Sequence, residues 1–261
     1  MKIYKAYAKV NVFLKITGLR GDYHEIISRF MRVDTLYDEL QFIKKSDKKE
    51  SFEIIGNFSC SVEQNTIYKG YKALLDYTNS SKLKDLMKEY AIKVDKSIPA
   101  FAGLGGGSSD CATFLKMCNE KLELGLSVDT LASIGLKVGA DVPFFIYEYD
   151  SANVSGIGEI VEKYDEEILG FDIFTPKLEI STPKVYKSYR KNFYNPISTS
   201  EVEMFKKIKS IEILQTYNPL DANDLFNPAL KEYEELKNHQ KDGYFFSGSG
   251  SSFFKINKIF R

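Results

Sequence analysis

The chain has 261 residues, and 43% of them are hydrophobic, so it can form one large domain or two smaller domains with separate cores. Lysine and arginine together number 36, as do aspartate and glutamate, so no net charge attracts nucleic acid or an anionic membrane surface. Three cysteines without a C-x-x-C pair are too few for a disulfide framework. We therefore expect a cytoplasmic protein with a small-molecule partner, and neither nucleic acid nor a membrane as partner.

The N-terminal segment is predicted to form a strand rather than a signal peptide. Apolar residues alternate with other residues from Val10 to Ile16, which is the period of a strand with two different faces. Lys9 and Lys15 interrupt the apolar stretch, and no small-residue cleavage site follows it. No segment of the chain approaches the roughly 18 apolar residues that a membrane span requires.

Helices and strands are both predicted up to residue 150, from hydrophobic periodicity and from capping residues. In chain order the predicted elements are strands at 30–43 and 52–58, a helix capped by Asn65, a strand at 91–98, a helix after a glycine-rich loop, a helix at 127–137 and a strand at 139–147.

The pattern changes beyond residue 150 to short strands with two helix starts. Thr182 and Asn227 each precede a proline, and we predict each as a cap with proline at the first helical position. Residues 195–203 are predicted to form a loop. We therefore predict two domains, at residues 1–150 and 151–261, the second being an α+β unit.

The loop within IPAFAGLGGGSSDCATFL, residues 98–115, lies between a predicted strand and a predicted helix. Backbone N–H groups freed by glycine, followed by a helix N-terminus, form an anion-binding concavity that suits phosphate. The loop does not match the P-loop pattern G-x-x-x-x-G-K-[ST] or the dinucleotide-binding pattern G-x-G-x-x-G. The chain also contains neither the H-R-D nor the D-F-G motif of protein kinases. A flexible surface turn is the alternative.

This loop resembles the phosphate loop of the GHMP small-molecule kinases, in the form PAFAGLGGGSS at residues 99–109. Three further blocks carry the resemblance: AKVNVFLKITGLRGDYHEI at 8–26, GADVPFF at 139–145 and SGSGSS at 247–252. The resemblance implies an α+β fold, the two-domain GHMP kinase fold with the active site in the interdomain cleft. It also implies ATP-dependent phosphorylation of an alcohol group on a small molecule.

The resemblance further implies roles for individual residues. Asp141 is expected to accept the proton of the acceptor hydroxyl, with Lys9 beside it. The residues expected to bind ATP are Pro99, Gly103, Leu104, Gly105, Gly106, Gly107, Ser108, Ser109 and Asn65. The residues expected to bind the substrate are Asn11, Tyr23, His24, Thr182, Tyr186, Gly248 and Gly250.

The acceptor that the resemblance implies is a small molecule with a cytidine diphosphate group. Tyr23 and His24 are expected to contact its cytidine half, and an aromatic side chain at Tyr186 to pack on the cytosine. The sequence contains no dedicated cluster of metal ligands, so Mg²⁺ is expected to rely on ATP phosphates with Ser108 and Ser109.

The sequence departs from the family pattern at a few positions. Gly21 precedes Asp22 in the turn before Tyr23, Ser155 stands where a glutamate is frequent, and Asp110 stands where an asparagine is usual. Other interpretations stay open: a GHMP kinase of the homoserine or mevalonate type, a nucleotide-binding regulator without catalysis, or a protein-interaction module.

Overall fold

The computed structural model describes residues 2–46 and 52–260, which form a mixture of helices and strands. The strands are β1 (Tyr4–Arg20), β2 (Tyr23–Lys44), β3 (Ile54–Ile55), β4 (Tyr90–Asp95), β5 (Ser151–Gly156), β6 (Ile160–Lys163), β7 (Ile168–Phe174), β8 (Phe245–Phe246) and β9 (Phe253–Phe260). The helices are α1 (Thr66–Thr78), α2 (Ser81–Glu89), α3 (Gly106–Lys121), α4 (Val128–Leu136), α5 (Val142–Tyr147), α6 (Thr182–Asn192), α7 (Thr199–Lys207), α8 (Ser210–Thr216), α9 (Pro219–Ala222) and α10 (Phe226–Glu232), with a 3-10 helix at Glu234–His239.

The chain folds into two compact units, each built from separate stretches of sequence. The first unit comprises Met1–Ala8, Asp34–Ile98 and Gly106–Glu148. The second unit comprises Lys9–Val33, Pro99–Gly105 and Tyr149–Arg261. The domain boundary near residue 150 stays a prediction.

In the first unit, helices pack beside a small sheet. The C-terminal half of β2 pairs antiparallel with β4, and β3 pairs parallel with β4. α3 packs against α1 and α5, and α4 packs against α5. Side-chain caps start three of the helices, from Asn65, Ser80 and Ser127. The buried core of this unit includes Leu74, Leu83, Leu86, Phe114, Leu115, Met117, Ile134 and Phe144.

In the second unit, the N-terminal half of β2 pairs antiparallel with β5, which pairs with β6. A separate three-stranded sheet has the order β7-β9-β8. α6 packs against α10 over an apolar core. That core includes Leu14, Ile16, Ile26, Ile180, Val185, Leu225, Phe226, Phe246 and Phe253.

A fully buried arginine, Arg29 on β2, links several elements of the second unit. Its guanidinium forms an ion pair with Glu166 at 3.0 Å and donates from Nε to Asn153 Oδ1 at 2.8 Å. The guanidinium carbon lies 3.4 Å from the centre of the Tyr164 ring. Glu166 Oε2 also accepts from the backbone N–H of Ser210 at 2.7 Å. A buried charge needs such partners, because removing one leaves an uncompensated charge away from water.

Most predicted elements of the N-terminal half are confirmed. β1 contains the alternating stretch, α1 begins after the Asn65 cap, and β4, α3 and α4 lie where they were predicted. The strand predicted at 52–58 is shorter, since only Ile54–Ile55 is extended and paired. Within residues 2–46 and 52–260, no helix is both long and apolar enough to cross a membrane.

The strand predicted at 139–147 is wrong, because residues Val142–Tyr147 form α5. Val142, Pro143 and Phe144 are all buried, so the segment is apolar on every side and has no periodicity to distinguish a helix from a strand. Pro143 lies in the first turn, where a helix tolerates proline, since the first N–H groups have no partner within the helix.

The loop predicted at 195–203 is also wrong at its C-terminal end, because α7 begins at Thr199. Ser198 and Glu201 form a capping box in which each side chain accepts from the other residue's backbone N–H, at 3.3 and 2.8 Å. The helix predicted at Thr182 exists, but its cap position is Ser181. α10 begins at Phe226, so Asn227 lies inside the helix rather than at its cap.

Candidate active site

Lys9 is a buried lysine on β1, with 3% of its surface exposed. Its ammonium donates to Asn11 Oδ1 at 2.5 Å and to the Gly103 carbonyl at 3.2 Å, and lies 4.3 Å from the Phe30 ring centre. Lys9 and Asn11 share a strand face because side chains two residues apart point the same way. A cation held in this manner lies in a low-dielectric site, where its charge acts strongly on a bound anion.

The serine-glycine loop (residues 247–252) meets the same residues within the second unit. Ser247 Oγ donates to the Gly103 carbonyl at 3.0 Å and accepts from the Asn11 backbone N–H at 3.2 Å. A Cβ added at Gly248 would lie 3.1 Å from Asn11 Oδ1. Three stretches that are far apart in sequence therefore converge on Lys9.

Asn223 is a buried residue that the sequence analysis missed. Its Nδ2 donates to the carbonyls of Phe246 and Gly248, at 2.9 and 2.8 Å, and its Oδ1 accepts from the Leu225 N–H. These bonds fix the backbone that leads into the serine-glycine loop. The sequence does not reveal this role, because the two carbonyls that accept from Asn223 Nδ2 lie more than 20 positions away along the chain.

The N-terminal part of the glycine loop also belongs to the second unit. Leu104 is buried, and its carbonyl accepts from the Lys9 backbone N–H at 3.0 Å, while Pro99 is exposed. Gly103 and Gly105 adopt φ of +72° and +73°, a region that disfavours residues with a Cβ.

A second cluster in this unit contains Thr182, Tyr186 and His24. Thr182 Oγ1 and Ser249 Oγ are hydrogen bonded at 2.7 Å, which places the start of α6 at the serine-glycine loop. The His24 ring lies 5.0 Å from the Tyr186 ring. Tyr23, just before His24, is 65% exposed. Gly250 packs inward instead, because a Cβ there would lie 2.2 Å from the Phe246 ring.

In the first unit, the start of α3 lies beside the start of α1. Thr66 Oγ1 donates to the Gly107 carbonyl at 2.6 Å, and Asn65 Oδ1 accepts from the Ile67 N–H at 2.9 Å. α3 begins at Gly106, followed by the half-buried Ser108 and the buried Ser109. The first N–H groups of a helix have no partner within the helix, so this end of α3 can accept a phosphate oxygen.

Asp141 lies at the N-cap position of α5 in the same unit and is half-buried. Its side chain makes no capping bond to the helix, so Asp141 does not act as the side-chain cap of α5. Gly139, two residues earlier, packs at the start of α3, since a Cβ there would lie 3.7 Å from Ser108 Oγ.

A buried charge cluster next to the glycine loop escaped the sequence analysis. Lys96 Nζ donates to Asp38 Oδ2 at 2.5 Å and to Asp110 Oδ2 at 2.7 Å, and Asp38 Oδ1 accepts from the Ser97 and Ile98 N–H groups. Burial and, to a smaller extent, the Asp38 carboxylate raise the pKa of Asp110 to about 7, although Lys96 opposes the rise. Because Asp110 stands where an asparagine is usual, Lys96 contacts two carboxyl groups instead of one.

Replacing Gly103 by alanine is expected to destabilise the protein by more than about 3 kcal/mol, because the new Cβ combines backbone strain with a collision. That Cβ would lie 2.1 Å from the Ser247 carbonyl oxygen, and φ is +72°. Gly125 is the matched control, since its φ is +66° but nothing lies within 4 Å of an added Cβ. Urea unfolding should give about 1 kcal/mol for Gly125→Ala. Equal losses in the two variants would show that the collision is relieved.

Comparison with known proteins identifies the family of this chain. Residues 65–149 match the family described as GHMP kinases N terminal domain. The chain is similar to the 4-diphosphocytidyl-2-C-methyl-D-erythritol kinase of Sulfurimonas denitrificans, with 64% identity over 99% of this chain and 98% of the relative. The corresponding kinase of Campylobacter jejuni (strain RM1221) is 40% identical over 97% of this chain and 100% of that protein.

Solved structures agree with the sequence comparison. A crystal structure of 4-(cytidine 5'-diphospho)-2C-methyl-D-erythritol kinase has 27% identity and a TM-score of 0.70, covering 98% of this chain and 90% of that chain. A crystal structure of L. major mevalonate kinase shares the fold, with a TM-score of 0.63 at 14% identity over 98% of this chain and 87% of that chain. The protein therefore has the α+β GHMP kinase fold and belongs to the family of 4-diphosphocytidyl-2-C-methyl-D-erythritol kinases.

Proposed function

We propose that this protein transfers the γ-phosphoryl group of ATP to the 2-hydroxyl group of 4-diphosphocytidyl-2-C-methyl-D-erythritol, in the cytoplasm. The products are the 2-phosphate and ADP, in a step of non-mevalonate isoprenoid precursor synthesis. The observation that carries the proposal is the convergence of Lys9, Asn11, Gly103 and Ser247, which come from three separate motifs. The 64% identity to a kinase of that name supports the choice of substrate.

Asp141 is the proposed general base. It accepts the proton of the 2-hydroxyl as the hydroxyl oxygen forms a bond to the γ-phosphorus and the bond to the ADP oxygen breaks. Its position within GADVPFF, the block at residues 139–145 that resembles the family pattern, supports this role. A positioned base typically contributes about 10²–10⁴ in rate, and alignment and charge stabilisation supply the rest.

Lys9 is proposed to stabilise negative charge on the transferring phosphoryl group or on the acceptor oxygen. Its ammonium is held by Asn11 Oδ1 and the Gly103 carbonyl, so it needs little rearrangement when charge develops. Asn11 in turn is fixed by Ser28, whose Oγ accepts from Asn11 Nδ2 at 3.0 Å.

ATP is proposed to bind through the backbone N–H groups of Gly105–Gly107. Ser108 and Ser109 follow these glycines in the sequence, and Asn65 caps α1, whose first residue contacts Gly107. The donor set fits a Mg²⁺ ion held mainly by nucleotide phosphates, because Ser108 contributes a half-buried hydroxyl at the first turn of α3. When bound, Mg²⁺ would neutralise charge on the phosphate oxygens. Among residues 2–46 and 52–260, no three His, Cys, Asp or Glu side chains are grouped as metal ligands.

The cytidine end of the substrate is proposed to bind at His24, Tyr186 and Tyr23. The tyrosine ring at 186 supplies a stacking surface, and a neutral imidazole offers one hydrogen-bond donor and one acceptor to a pyrimidine edge. Thr182 and the glycines of the serine-glycine loop are proposed to contact the rest of the substrate, since Thr182 lies at that loop.

The experiment that tests the function measures ADP release with ATP, Mg²⁺ and the cytidyl substrate, beside parallel reactions with mevalonate and homoserine. We expect turnover only with the cytidyl substrate. Turnover with mevalonate or homoserine instead would assign a different GHMP kinase activity. Nucleotide binding without turnover of any acceptor would identify a non-catalytic regulator, and no nucleotide-dependent change in thermal stability would favour an interaction module.

A further inference from the structure

The serine-glycine loop packs on both oxygen atoms that hold the Lys9 ammonium. Those atoms are Asn11 Oδ1 and the Gly103 carbonyl oxygen. A Cβ added at Gly248 would lie 3.1 Å from Asn11 Oδ1 and 3.5 Å from the Gly103 oxygen, so the loop backbone lies directly against them. Ser247 Oγ also donates to the Gly103 carbonyl at 3.0 Å. A displacement of this loop would therefore displace the two acceptors of the ammonium.

The side chain of Asn223 fixes the backbone of this loop. Asn223 is 2% exposed, and its Nδ2 donates to the carbonyls of Phe246 and Gly248 at 2.9 and 2.8 Å. An amide nitrogen carries two protons, so both are used, and the direction of each carbonyl is set by the plane of the amide. Its Oδ1 accepts from the Leu225 N–H at 2.9 Å, which leaves the amide one orientation.

Asn223 is in turn held on β1, the strand that carries Lys9. The backbone of Asn223 pairs with Leu14 as a parallel bridge. The following N–H group, that of Asp224, donates to the Leu14 carbonyl at 2.9 Å, and Asp224 Oδ2 accepts from the Ile16 N–H at 2.8 Å. β1 therefore contacts the serine-glycine loop at two places, directly near the ammonium and through Asn223 further along the strand.

We propose that Asn223 is a positioning residue for the Lys9 ammonium: by fixing the Gly248 backbone, it keeps the two acceptors of that ammonium in place. This inference rests on the role of Lys9 in the proposed function. A group that stabilises developing charge is effective when it is already in place, because rearrangement during the reaction raises the barrier. A misplacement of about 1 Å can lower a rate by about a hundredfold.

A buried asparagine can also act on stability alone, because its loss leaves two buried carbonyls without a donor. The two roles differ in their dependence on Lys9. A positioning residue acts through the ammonium, so its removal changes kcat little once the ammonium is gone. A general disturbance of the second unit lowers kcat whether or not the ammonium is present, so the two losses multiply.

The test is a double-mutant cycle of Asn223→Ala with Lys9→Met. ADP release is measured at saturating ATP and cytidyl substrate, at a temperature well below the unfolding of every variant. We expect Asn223→Ala to lower kcat about ten- to a hundredfold in the original protein. In the Lys9→Met protein the same substitution should lower kcat by less than about twofold.

Asn153→Ala is the matched control. Asn153 is 6% exposed in the same unit, and its Nδ2 also donates to a backbone carbonyl, that of Lys206, at 3.0 Å. This control should lower the thermal stability and change kcat by less than about twofold. If Asn223→Ala does not fold, Asn223→Ser replaces it in the cycle, because a hydroxyl group retains one donor.

The outcomes separate this inference from the function on which it rests. Equal losses of kcat from Asn223→Ala with and without Lys9 would overturn the positioning role, as would an unchanged kcat in the original protein. Near-normal turnover by Lys9→Met would overturn the role of Lys9 and, with it, that of Asn223. No turnover of the cytidyl substrate by the original protein would overturn the proposed function itself.

Discussion

Asp141→Asn is expected to lower kcat by about two to four orders of magnitude, because an amide cannot accept the proton of the attacking hydroxyl. The substitution keeps the size and shape of the side chain. The turn itself is held by the buried side chains of Val142, Pro143 and Phe144, and the Asp141 side chain contributes no cap to α5. Any change in the free energy of unfolding is measured separately, so that a loss of stability is not mistaken for the loss of the base.

The measurement is ADP release at saturating concentrations of both substrates, together with urea unfolding. Asp85→Asn is a suitable control, since Asp85 lies on α2 with its side chain 71% exposed. The control removes the same charge and should leave kcat unchanged. If Asp141→Asn kept near-normal turnover, Asp141 would not be the base.

Lys9→Met is expected to lower kcat by about two to three orders of magnitude, the effect of losing one preorganised group that stabilises developing charge. Methionine has a similar length and can occupy the apolar space beside Phe30. The substitution also removes the Lys9 donor to the buried Asn11 Oδ1, which costs about 1–3 kcal/mol of stability. The Gly103 carbonyl keeps its bond from Ser247 Oγ.

Lys15→Met on the same strand separates loss of stability from loss of catalysis. Lys15 forms a partly buried ion pair with Asp224, whose other oxygen accepts from the Ile16 N–H at 2.8 Å. Removing Lys15 should destabilise the second unit while kcat changes by less than about twofold, since no role in the reaction is assigned to it. Turnover that falls with stability in the same proportion in both variants would show that Lys9 is structural.

Local signals in the sequence predicted the elements that local interactions determine. Period-two alternation predicted β1, and the side-chain cap at Asn65 predicted α1. α5 could not be predicted in this way, because a short run that is buried on all sides has no period. The start of α7 did have a signal, since Ser198 and Glu201 have the spacing of a capping box.

The sequence predicted the candidate site only at residues that belong to a recognisable motif. The shared face of Lys9 and Asn11 follows from strand geometry, and the phosphate loop from its glycines. Asn223 and Lys96 were missed because each acts through partners that only the folded chain brings near. No local pattern distinguishes a buried amide or lysine of this kind from an exposed one.

The buried Arg29 has a consequence for how the second unit opens. Its partners lie on β5, in the segment after β6 and at the start of α8. None of these segments can unfold alone without leaving a buried charge unpaired. Amide hydrogens in these pieces should therefore exchange with solvent through one shared opening event rather than through separate fraying. The end of α7 and the start of α8 are thus coupled to β2 and β5 as a single cooperative unit.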